Sequence, residues 1–480
     1  MTSGCGLASF RDPDGCLYSL ESRILRRVSA PAVPVLREFL ETSTAREFLN
    51  SRSLVHTSEV ADHEALALSA ELLSRDEGEA YAQSRLFEHE RVWFPSYAYE
   101  WPPEMLYAAG ELTVDLAEAA LKEGFGLKDA TPYNVLFSGP KAVFVDVLSF
   151  EKRDPGDPQW LPYAQFVRMF VLPLLMNKVF GIPTEATFLS HRDGLQPEDV
   201  YRHLSVVNRI RPLFLSTVSI PTWLTKRVNP DDKELYAPKR LMEPEKARFI
   251  LKRRLKSARN LLHRVKPGGE RSSNWSAYLK NLSYAPEDFE AKAKLVTRYA
   301  AELGPKTVLD VGCNTGHFSE IAANAGAQVV AIDLDPVSVG MTWQRASTKN
   351  LNILPLVVNL ARPSPSTGWR NAEYPSFLDR ATGSFDMILM LAVLHHLLVT
   401  ERIPLPEVVD LAAALTNRYL VIEYVAREDA MFQRLTRGRE SLHAGFTQEA
   451  FEAACARRFS LVEKNPVKGS LRWLYLLQKR

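Results

Sequence analysis

Apolar and polar positions alternate most regularly in the C-terminal part of the chain. Short runs that are almost wholly apolar predict strands, and stretches with an apolar residue every three or four positions predict helices between them. The predicted strands are 307–311, 328–333, 353–359, 385–391, 419–424 and 471–477, and the predicted helices are 285–303, 318–325, 337–347 and one that begins at Leu405. Apolar strands that alternate with amphipathic helices are typical of a parallel sheet covered on both faces. The pattern therefore predicts an α/β domain with a doubly wound, mostly parallel sheet over residues 274–480.

A strongly basic stretch separates this domain from the residues before it. Residues 233–273 have a helical pattern in their first part and carry a Pro-Gly-Gly sequence near their end. A basic helix followed by flexible residues is typical of an interdomain connector, although such helices also bind phosphate, RNA or anionic lipid. The sequence thus predicts an α+β domain over residues 1–232, a basic helical linker over 233–273 and the α/β domain over 274–480.

Length, charge and cysteine content favour a protein of more than one domain that has neither a disulfide framework nor a membrane span. The chain has 480 residues, more than one hydrophobic core usually organises, and its formal net charge of +2 makes a nucleic-acid partner less favoured. The four cysteines lie far apart, so we expect neither a disulfide framework nor a zinc site, and a cytoplasmic location is the simpler setting. The most apolar run, residues 166–180, is too short and too polar to span a membrane, and it predicts a buried helix pair broken near Pro173.

The loop after the first predicted strand carries the clearest chemical signal. The strand carries Asp310 near its end and runs into a loop that contains Gly312 and Gly316 before the next helix begins. Glycine lets the backbone turn sharply and approach a ligand closely. The following strand ends in Asp333, a position from which a carboxylate can accept hydrogen bonds from both hydroxyls of a ribose. The spacing does not supply the GxGxxG pattern of dinucleotide-binding proteins, so a nucleoside without a pyrophosphate is the better match.

These motifs resemble those of the class I S-adenosylmethionine-dependent methyltransferases. VLDVGCNTGHFS and VVAIDLDP are similar to the first two motifs of that family, FDMILMLAVLHHL to the fourth-strand motif and YLVIEYV to the fifth strand. The resemblance implies a Rossmann-like fold and S-adenosyl-L-methionine as the cofactor. It also implies that Asp310 and the loop hold the methionine part, that Asp333 holds the ribose and that Asn359 takes the place of an Asp that contacts adenine. The full set of expected cofactor-binding residues is Asp310, Gly312, Asn314, Gly316, Asp333, Asn359 and Leu391.

Two neighbouring histidines are the candidate catalytic residues. His395 and His396 follow the fourth strand, at the edge where such sheets bind ligands, and either could remove a proton from a hydroxyl acceptor or merely shape the pocket. Glu423 is a further candidate base. On this basis we expect O-methylation of a sugar, glycan or other small molecule. Three aromatic residues before the first helix could form a lid over the cofactor or pack in the core; they are Trp275, Tyr278 and Tyr284.

The N-terminal part contains a second motif. In GLKDATPYNVLFSGPKAVFVDVLSF, the spacing of Asp129, Asn134 and Asp146 resembles the catalytic loop and metal-binding Asp of protein kinases and aminoglycoside phosphotransferases. The resemblance implies a Mg-ATP site. No glycine-rich loop and no Val-Ala-x-Lys strand precede it, and Arg26 or Arg27 would have to replace the lysine. We therefore expect a degenerate, kinase-like recognition domain; the alternatives are a bifunctional kinase–methyltransferase that modifies a glycan terminus and a non-catalytic scaffold.

Overall fold

The computed structural model describes residues 11–65, 68, 84–225, 240–268, 286–467 and 469–480. The N-terminal half begins with a small antiparallel sheet in the strand order β1-β2-β4-β3. Its strands are β1 (Gly15–Leu20), β2 (Arg23–Val28), β3 (Thr57–Glu59) and β4 (Arg85–His89), and helices α1 (Ala32–Glu41) and α2 (Ser43–Asn50) follow β2. Phe39 on α1 stacks on Phe150 with ring centroids 3.8 Å apart, which joins this layer to the part of the chain that follows.

A mainly helical region with two short antiparallel strand pairs completes the N-terminal half. Its strands are β5 (Phe125–Leu127), β6 (Val135–Ser138), β7 (Lys141–Phe144) and β8 (Phe150–Lys152); β5 pairs with β8, and β6 with β7. Its helices are α3 (Pro103–Ala120), α4 (Tyr163–Phe166), α5 (Leu172–Phe180), α6 (Thr184–Ser190), α7 (Pro197–His203), α8 (Val206–Ile210), α9 (Pro212–Phe214) and α10 (Ile220–Thr225). Short 3-10 turns lie at Ala98–Glu100, Leu121–Glu123, Pro132–Asn134 and Val147–Ser149. This half is therefore α+β, as the sequence predicts.

The helix that contains Pro173 continues through the proline. α4 runs into a π-helical turn, Val167–Val171, which leads directly into α5. In a regular α-helix, proline removes one hydrogen bond and its ring collides with the preceding turn. The wider π-helical turn that ends just before Pro173 accommodates the ring. The expectation of a helix pair broken near Pro173 is therefore wrong.

Helix α11 (Pro244–Arg264), predicted to be part of the linker, packs into the N-terminal half. Its buried positions recur at helical spacing and are Ala247, Leu251, Leu255, Ala258, Leu261 and Leu262. A side chain at Gly110 of α3 would lie 3.2 Å from Leu262 Cδ1, and Arg259 pairs with Glu118 of α3 at 2.8 Å. Apart from Arg259, the basic residues of α11 are exposed, so a strongly charged helix still carries an apolar stripe that belongs to the core. Our interpretation of α11 as a connector is thus corrected; both ends of the predicted linker lie outside the described residues.

The C-terminal half is built on a seven-stranded sheet in the order β11-β10-β9-β12-β13-β15-β14. The strands are β9 (Thr307–Val311), β10 (Gln328–Asp333), β11 (Ile353–Val357), β12 (Phe385–Met390), β13 (Thr416–Val425), β14 (Phe459–Val467) and β15 (Arg472–Lys479). β9 to β13 are parallel to one another, and β15 runs antiparallel to both β13 and β14. This mostly parallel, Rossmann-like sheet confirms the predicted fold class.

Helices cover this sheet and connect its strands. They are α12 (Pro286–Leu303), α13 (His317–Asn324), α14 (Pro336–Lys349), α15 (Phe377–Ala381), α16 (Leu394–Val399), α17 (Leu405–Leu415), α18 (Ala430–Thr436) and α19 (Gln448–Cys455), with 3-10 turns at Trp369–Asn371 and Glu440–His443. The chain leaves β9 for β10 on one side and later returns to β12 on the other side of β9. Such a reversal opens a crevice at the carboxyl ends of these strands, where open α/β sheets bind ligands.

The two halves share a continuous apolar core. Phe94 packs against Phe377 and Phe385 with ring centroids 5.9 Å apart in both cases. A buried ion pair between Arg380 and Glu100 also joins the halves, and both side chains are at most 4% exposed. The C-terminal sheet therefore does not stand alone in the full chain.

The state of the cysteines contradicts the expectation that the chain has no disulfide bond. Cys16 is disulfide-bonded, whereas Cys313 and Cys455 are free and buried. The prediction of no disulfide rested on distances along the sequence, and folding can bring distant residues together.

Within the described part of the chain, no helix combines the length and apolar character needed to cross a bilayer.

Candidate functional site

The loop between β9 and α13 requires glycine at two positions. Gly312 and Gly316 have φ angles of +71° and +77°, in the left-handed region. A Cβ atom at Gly312 would overlap Val393 Cγ2, and one at Gly316 would lie 2.6 Å from Thr342 Cγ2. Both the backbone conformation and the lack of space exclude a side chain. The loop backbone is therefore open to close approach by a ligand.

Asp333, the last residue of β10, holds this loop in place. Its carboxylate accepts the backbone N–H of Asn314 at 2.9 Å and that of Asp335 at 3.0 Å. Burial raises the pKa of Asp333, and these two backbone donors act in the opposite direction. Each carboxylate oxygen has a second lone pair, so Asp333 can accept two further hydrogen bonds from a ligand.

Asp310 is buried near the end of β9. Ser319 Oγ donates a hydrogen bond to its Oδ2 at 2.5 Å. Burial raises the pKa of Asp310 to about 7, although the Ser319 hydrogen bond lowers it; the nearby Asp333 raises it further. A cationic group bound beside Asp310 would lower this pKa and stabilise the ionised carboxylate. The site is thus suited to a ligand that carries a positive charge.

These side chains face one cavity of about 380 Å³ at the carboxyl ends of β9, β10 and β12. Predicted site residues in its lining are Asp310, Gly312, Asn314, Asp333, Asn359, Leu391 and His396. Gly316 and His395 are not in the lining; Gly316 acts on the loop conformation instead. A volume of this size is typical of a site for a small ligand. The structure therefore brings seven of the nine predicted residues together around one cavity.

Asn359 has a fixed orientation at the edge of this cavity. Its Oδ1 accepts the backbone N–H of Ala361 at 2.9 Å. Because an amide NH₂ cannot accept that hydrogen bond, the contact determines which end of the amide is oxygen. The second lone pair of Oδ1 can accept a hydrogen bond from a ligand, and Nδ2 can donate one.

The two histidines differ in position although they are neighbours on α16. His396 lines the cavity, and burial lowers its pKa, so its ring is neutral near pH 7. His395 is 1% exposed and does not line the cavity; burial lowers its pKa to about 3. Their ring centroids are 4.3 Å apart. Of the two candidate bases, only His396 is placed to meet a ligand directly.

Comparison with known proteins matches the C-terminal half to a methyltransferase family and the whole chain to a bacterial relative. Residues 284–459 match the profile of the family described as "Methyltransferase domain". The chain is 29% identical to the nodulation protein NoeA of Rhizobium meliloti (strain 1021) over 98% of its own length and 95% of the relative's. It is also 29% identical over 96 residues to the ubiquinone biosynthesis O-methyltransferase of Aromatoleum aromaticum, which covers 20% of this chain and 35% of that protein.

The C-terminal half contains an S-adenosylmethionine-dependent methyltransferase domain. Among solved structures, the N-methyltransferase NodS from Bradyrhizobium japonicum WM9 is similar to 40% of this chain over 97% of its own length, with 17% identity and a TM-score of 0.31. The family match over residues 284–459, and not this distant structural likeness, identifies S-adenosylmethionine as the cofactor of this domain.

Residues that the sequence motifs did not reveal also line this cavity. They are Phe289 and Lys292 on α12, His317 at the start of α13 and Leu435 on α18. The ring of Phe289 lies 4.6 Å from that of His317. Such positions look like ordinary amphipathic helix residues in the sequence, and only the fold turns them toward the cavity. The aromatic lid candidates Trp275, Tyr278 and Tyr284 lie outside the described residues.

Glu423 belongs to a buried ion network rather than to the lining of the methyltransferase cavity. Its carboxylate lies 3.2 Å from Lys292 Nζ and 3.4 Å from Arg472 Nη1. It also accepts the backbone N–H of Ala392 at 2.9 Å, in the loop that follows β12. These contacts fix Glu423 as a structural anion, so our interpretation of it as a candidate base is corrected.

The motif in the N-terminal half has an arginine where a metal ion would be expected. Arg26 Nη1 pairs with Asp146 Oδ1 at 2.8 Å, and Ser149 Oγ donates to Oδ2 at 2.6 Å. Asn134 Nδ2 in turn donates to Ser149 Oγ at 3.0 Å. Burial by itself raises the pKa of Asp146, but Arg26 and Ser149 outweigh that effect and lower it. Both carboxylate oxygens are thus engaged by protein groups.

Asp129 takes no part in this cluster of contacts. It accepts a long hydrogen bond from Gln165 Nε2 at 3.4 Å. Within the described residues, no group of three or more His, Cys, Asp or Glu side chains could hold a metal ion. Of the two arginines considered as substitutes for the kinase lysine, Arg26 is the one that reaches Asp146.

Proposed function

We propose that the methyltransferase domain transfers the methyl group to an oxygen nucleophile on a small-molecule or glycan acceptor. The observation that carries this proposal is the position of His396 in the lining of the cofactor cavity. Its lowered pKa keeps the ring neutral, and a neutral imidazole can accept a proton from a hydroxyl group. A sulfur or amine nucleophile has less need of such a base.

The lining of the cavity fits the parts of S-adenosylmethionine. We infer that Asp333 accepts hydrogen bonds from the ribose hydroxyls, and that Asn359 contacts the adenine edge. Asp310, Gly312 and Asn314 face the methionine part. The raised pKa of Asp310 supports this arrangement, because the ammonium group of the methionine part would supply the missing positive charge. Gly312 and Gly316 support it because any side chain there would close the approach to the loop. Leu391 contributes apolar surface.

Most of the catalytic effect comes from alignment. S-adenosylmethionine supplies an electrophilic methyl carbon bonded to a positively charged sulfur. With S-adenosylmethionine bound, the acceptor oxygen would form its bond to that carbon as the carbon–sulfur bond broke, and the bonding electron pair would go to sulfur. The hydroxyl proton passes to a ring nitrogen of His396. Orientation of the two reactants can contribute several kcal/mol, and a positioned base typically adds about 10²–10⁴-fold.

Replacement of His396 by Gln tests this role. With radiolabelled S-adenosylmethionine and fractionated bacterial extract as the acceptor source, we expect H396Q to lower kcat by about 10²–10⁴-fold. Calorimetry should show unchanged affinity for S-adenosylhomocysteine. The matched variant H395Q alters the neighbouring ring, which is outside the cavity lining, and should keep a much larger share of kcat. Full turnover by H396Q would exclude the base.

We propose further that the N-terminal half is a kinase-like recognition domain that does not transfer phosphate. The ion pair between Arg26 and Asp146 supports this, since it neutralises the carboxylate that would bind Mg²⁺. The competing proposal, a bifunctional kinase–methyltransferase, is favoured by the order of Asp129, Asn134 and Asp146 in the chain. Mg-ATP separates the two. A melting temperature of the full chain that Mg-ATP leaves unchanged supports recognition alone, whereas a rise that D146N abolishes supports the kinase.

A further inference from the structure

A second cavity adjoins the cofactor cavity. It has a volume of about 420 Å³, and Leu435 of α18 lines both cavities. Helix α16 runs beside both: His396 and Leu397 face the cofactor cavity, whereas Leu398 and Val399 face the second one. The 3-10 turn Glu440–His443 contributes to the far side. A molecule in the second cavity would therefore lie next to the methyl donor.

The second cavity is lined mainly by apolar side chains. They are Leu398, Val399, Ile403, Pro404, Leu405, Leu435, Leu442, Phe446 and Ala450. The polar side chains in the lining are Arg402, Thr436, Arg439 and His443. Thr436 Oγ1 already donates to Phe432 O at 3.0 Å within α18. Among the described residues, the lining has neither carboxylate nor amide side chains, which are the groups that commonly bind neutral sugar hydroxyls.

The charge of the second cavity is positive. Arg402 and Arg439 both line it, and among the described residues neither forms an ion pair with a carboxylate. The acidic residues next to them in the sequence have other partners: Glu401 pairs with Arg362, and Glu440 accepts the backbone N–H of Gly438 at 2.8 Å. Arginine presents a planar fork of donors that matches phosphate and carboxylate groups. Both arginines are exposed, so their guanidinium groups are accessible to an anionic group of an acceptor.

We propose that the second cavity is the acceptor subsite and that the acceptor combines an apolar body with an anionic group, a phosphate or a carboxylate. This inference rests on the proposed function. The apolar lining takes the body of the acceptor, and Arg402 and Arg439 bind its anionic group. Leu435 lines both cavities, so an acceptor held in the second cavity would meet the cofactor cavity beside this side chain. A neutral, wholly polar sugar fits this lining poorly.

Calorimetry on the full chain saturated with S-adenosylhomocysteine tests the subsite. The probes are octyl phosphate, octanoate, octyl glucoside and methyl phosphate, each below its micelle concentration. We expect octyl phosphate or octanoate to bind at least tenfold more tightly than octyl glucoside and methyl phosphate. The first two probes distinguish a phosphate from a carboxylate acceptor. The double variant R402Q/R439Q should reduce that binding at least tenfold. R434Q/R437Q, which removes two arginines of the same segment that are outside the lining, should leave it unchanged.

The outcomes separate the two proposals. Normal binding of S-adenosylhomocysteine without binding of any amphipathic anion would overturn the subsite alone. Failure to bind S-adenosylhomocysteine would overturn the proposed function. Equal binding of octyl glucoside would remove the anionic part of the inference. An equal loss of binding in R402Q/R439Q and R434Q/R437Q would show a general effect of surface charge and would also overturn it.

Discussion

Burial of single side chains sets the electrostatic character of the cofactor cavity. Burial raises the pKa of Asp310 to about 7 and also raises that of Asp333, whereas it lowers the pKa of His396 in the lining and of His395 outside it. In each case the protein disfavours the charged form. A bound ligand of opposite charge lowers the free energy needed to ionise these buried side chains. Ligand binding and the protonation of these side chains are therefore linked.

The contacts of Asp333 predict a loss of cofactor affinity in D333A. In the proposed arrangement, the substitution removes the acceptor for two ribose hydroxyls, and it releases the backbone N–H groups of Asn314 and Asp335. Hydrogen bonds to a charged group are each worth roughly 1.5–3 kcal/mol, so affinity for S-adenosylhomocysteine should fall at least tenfold. Calorimetry measures it. D410A removes an exposed carboxylate paired with Arg458 and serves as the control. Equal affinity in D333A and D410A would exclude the ribose role.

His395 predicts a pH dependence of stability. Its folded pKa is about 3, below the ordinary value of 6.5, so the unfolded chain binds more protons between these two pH values. The free energy of unfolding should therefore fall as the pH drops below 6.5, by up to about 1.4 kcal/mol per pH unit from this residue. In H395L that part of the slope should be lost, and urea unfolding at several pH values measures it. H56Q, which changes an exposed histidine, should keep the wild-type slope. If the H395L slope matched the wild type, the buried neutral histidine would be excluded.

Helix α12 is held against the sheet by buried ion pairs that lie beside the cofactor cavity. Lys292 of α12, Glu423 of β13 and Arg472 of β15 form a buried ion network, and Glu423 also fixes the loop after β12 through Ala392 N. Arg472 is held in addition by Asp429, with distances of 2.8 and 2.9 Å. The network thus positions one wall of the cavity.

Removal of the central anion should destabilise the protein strongly. In E423Q, Lys292 and Arg472 keep their charges but lose a buried counter-ion, which typically costs about 3–5 kcal/mol. E463Q is a matched control, because Glu463 of β14 pairs with Arg298 of the same helix α12 at the surface. An exposed pair contributes at most about 1 kcal/mol. Urea denaturation compares the two variants, and similar free energies of unfolding would contradict a structural role for Glu423.

For the whole molecule, the two halves depend on each other. Aromatic side chains from both halves pack together, Arg380 pairs with buried Glu100, and Trp343 Nε1 donates to Pro140 O at 3.0 Å. Arg380 Nη1 also donates to Pro95 O at 2.5 Å. A recognition domain fixed in this way would hold a constant position relative to the methyltransferase site.

R380M should destabilise both halves together. The variant leaves the Glu100 carboxylate buried and without its cation, a change that typically costs about 3–5 kcal/mol. R427M, which removes a surface pair with Glu428, should cost no more than about 1 kcal/mol. Hydrogen exchange resolved by segment should show protection falling in both halves of R380M. A loss of protection confined to one half would mean that the shared core does not couple them.

The sequence by itself determined the features that depend on local chemistry. Gly312 and Gly316 were recognisable as glycines in a loop between a strand and a helix, and their positive φ angles and crowded surroundings explain why glycine is needed there. Asp310 and Asp333 lie near the carboxyl ends of two predicted parallel strands, which places them at one edge of the sheet. The period of apolar residues gave most strands of the C-terminal sheet to within a few positions. Such signals are local, since the backbone conformation and the side-chain period act over a few residues.

Only the tertiary structure decided which of two similar neighbours faces a site. His395 and His396 differ by one helical position, and that rotation places one in the core and the other in the cavity. Arg26 rather than Arg27 forms the ion pair with Asp146. The apolar stripe of α11 is visible in the sequence, but only the fold shows that it packs against α3. These outcomes depend on contacts between residues far apart in the chain, and the residue pattern of a single element does not specify its partner.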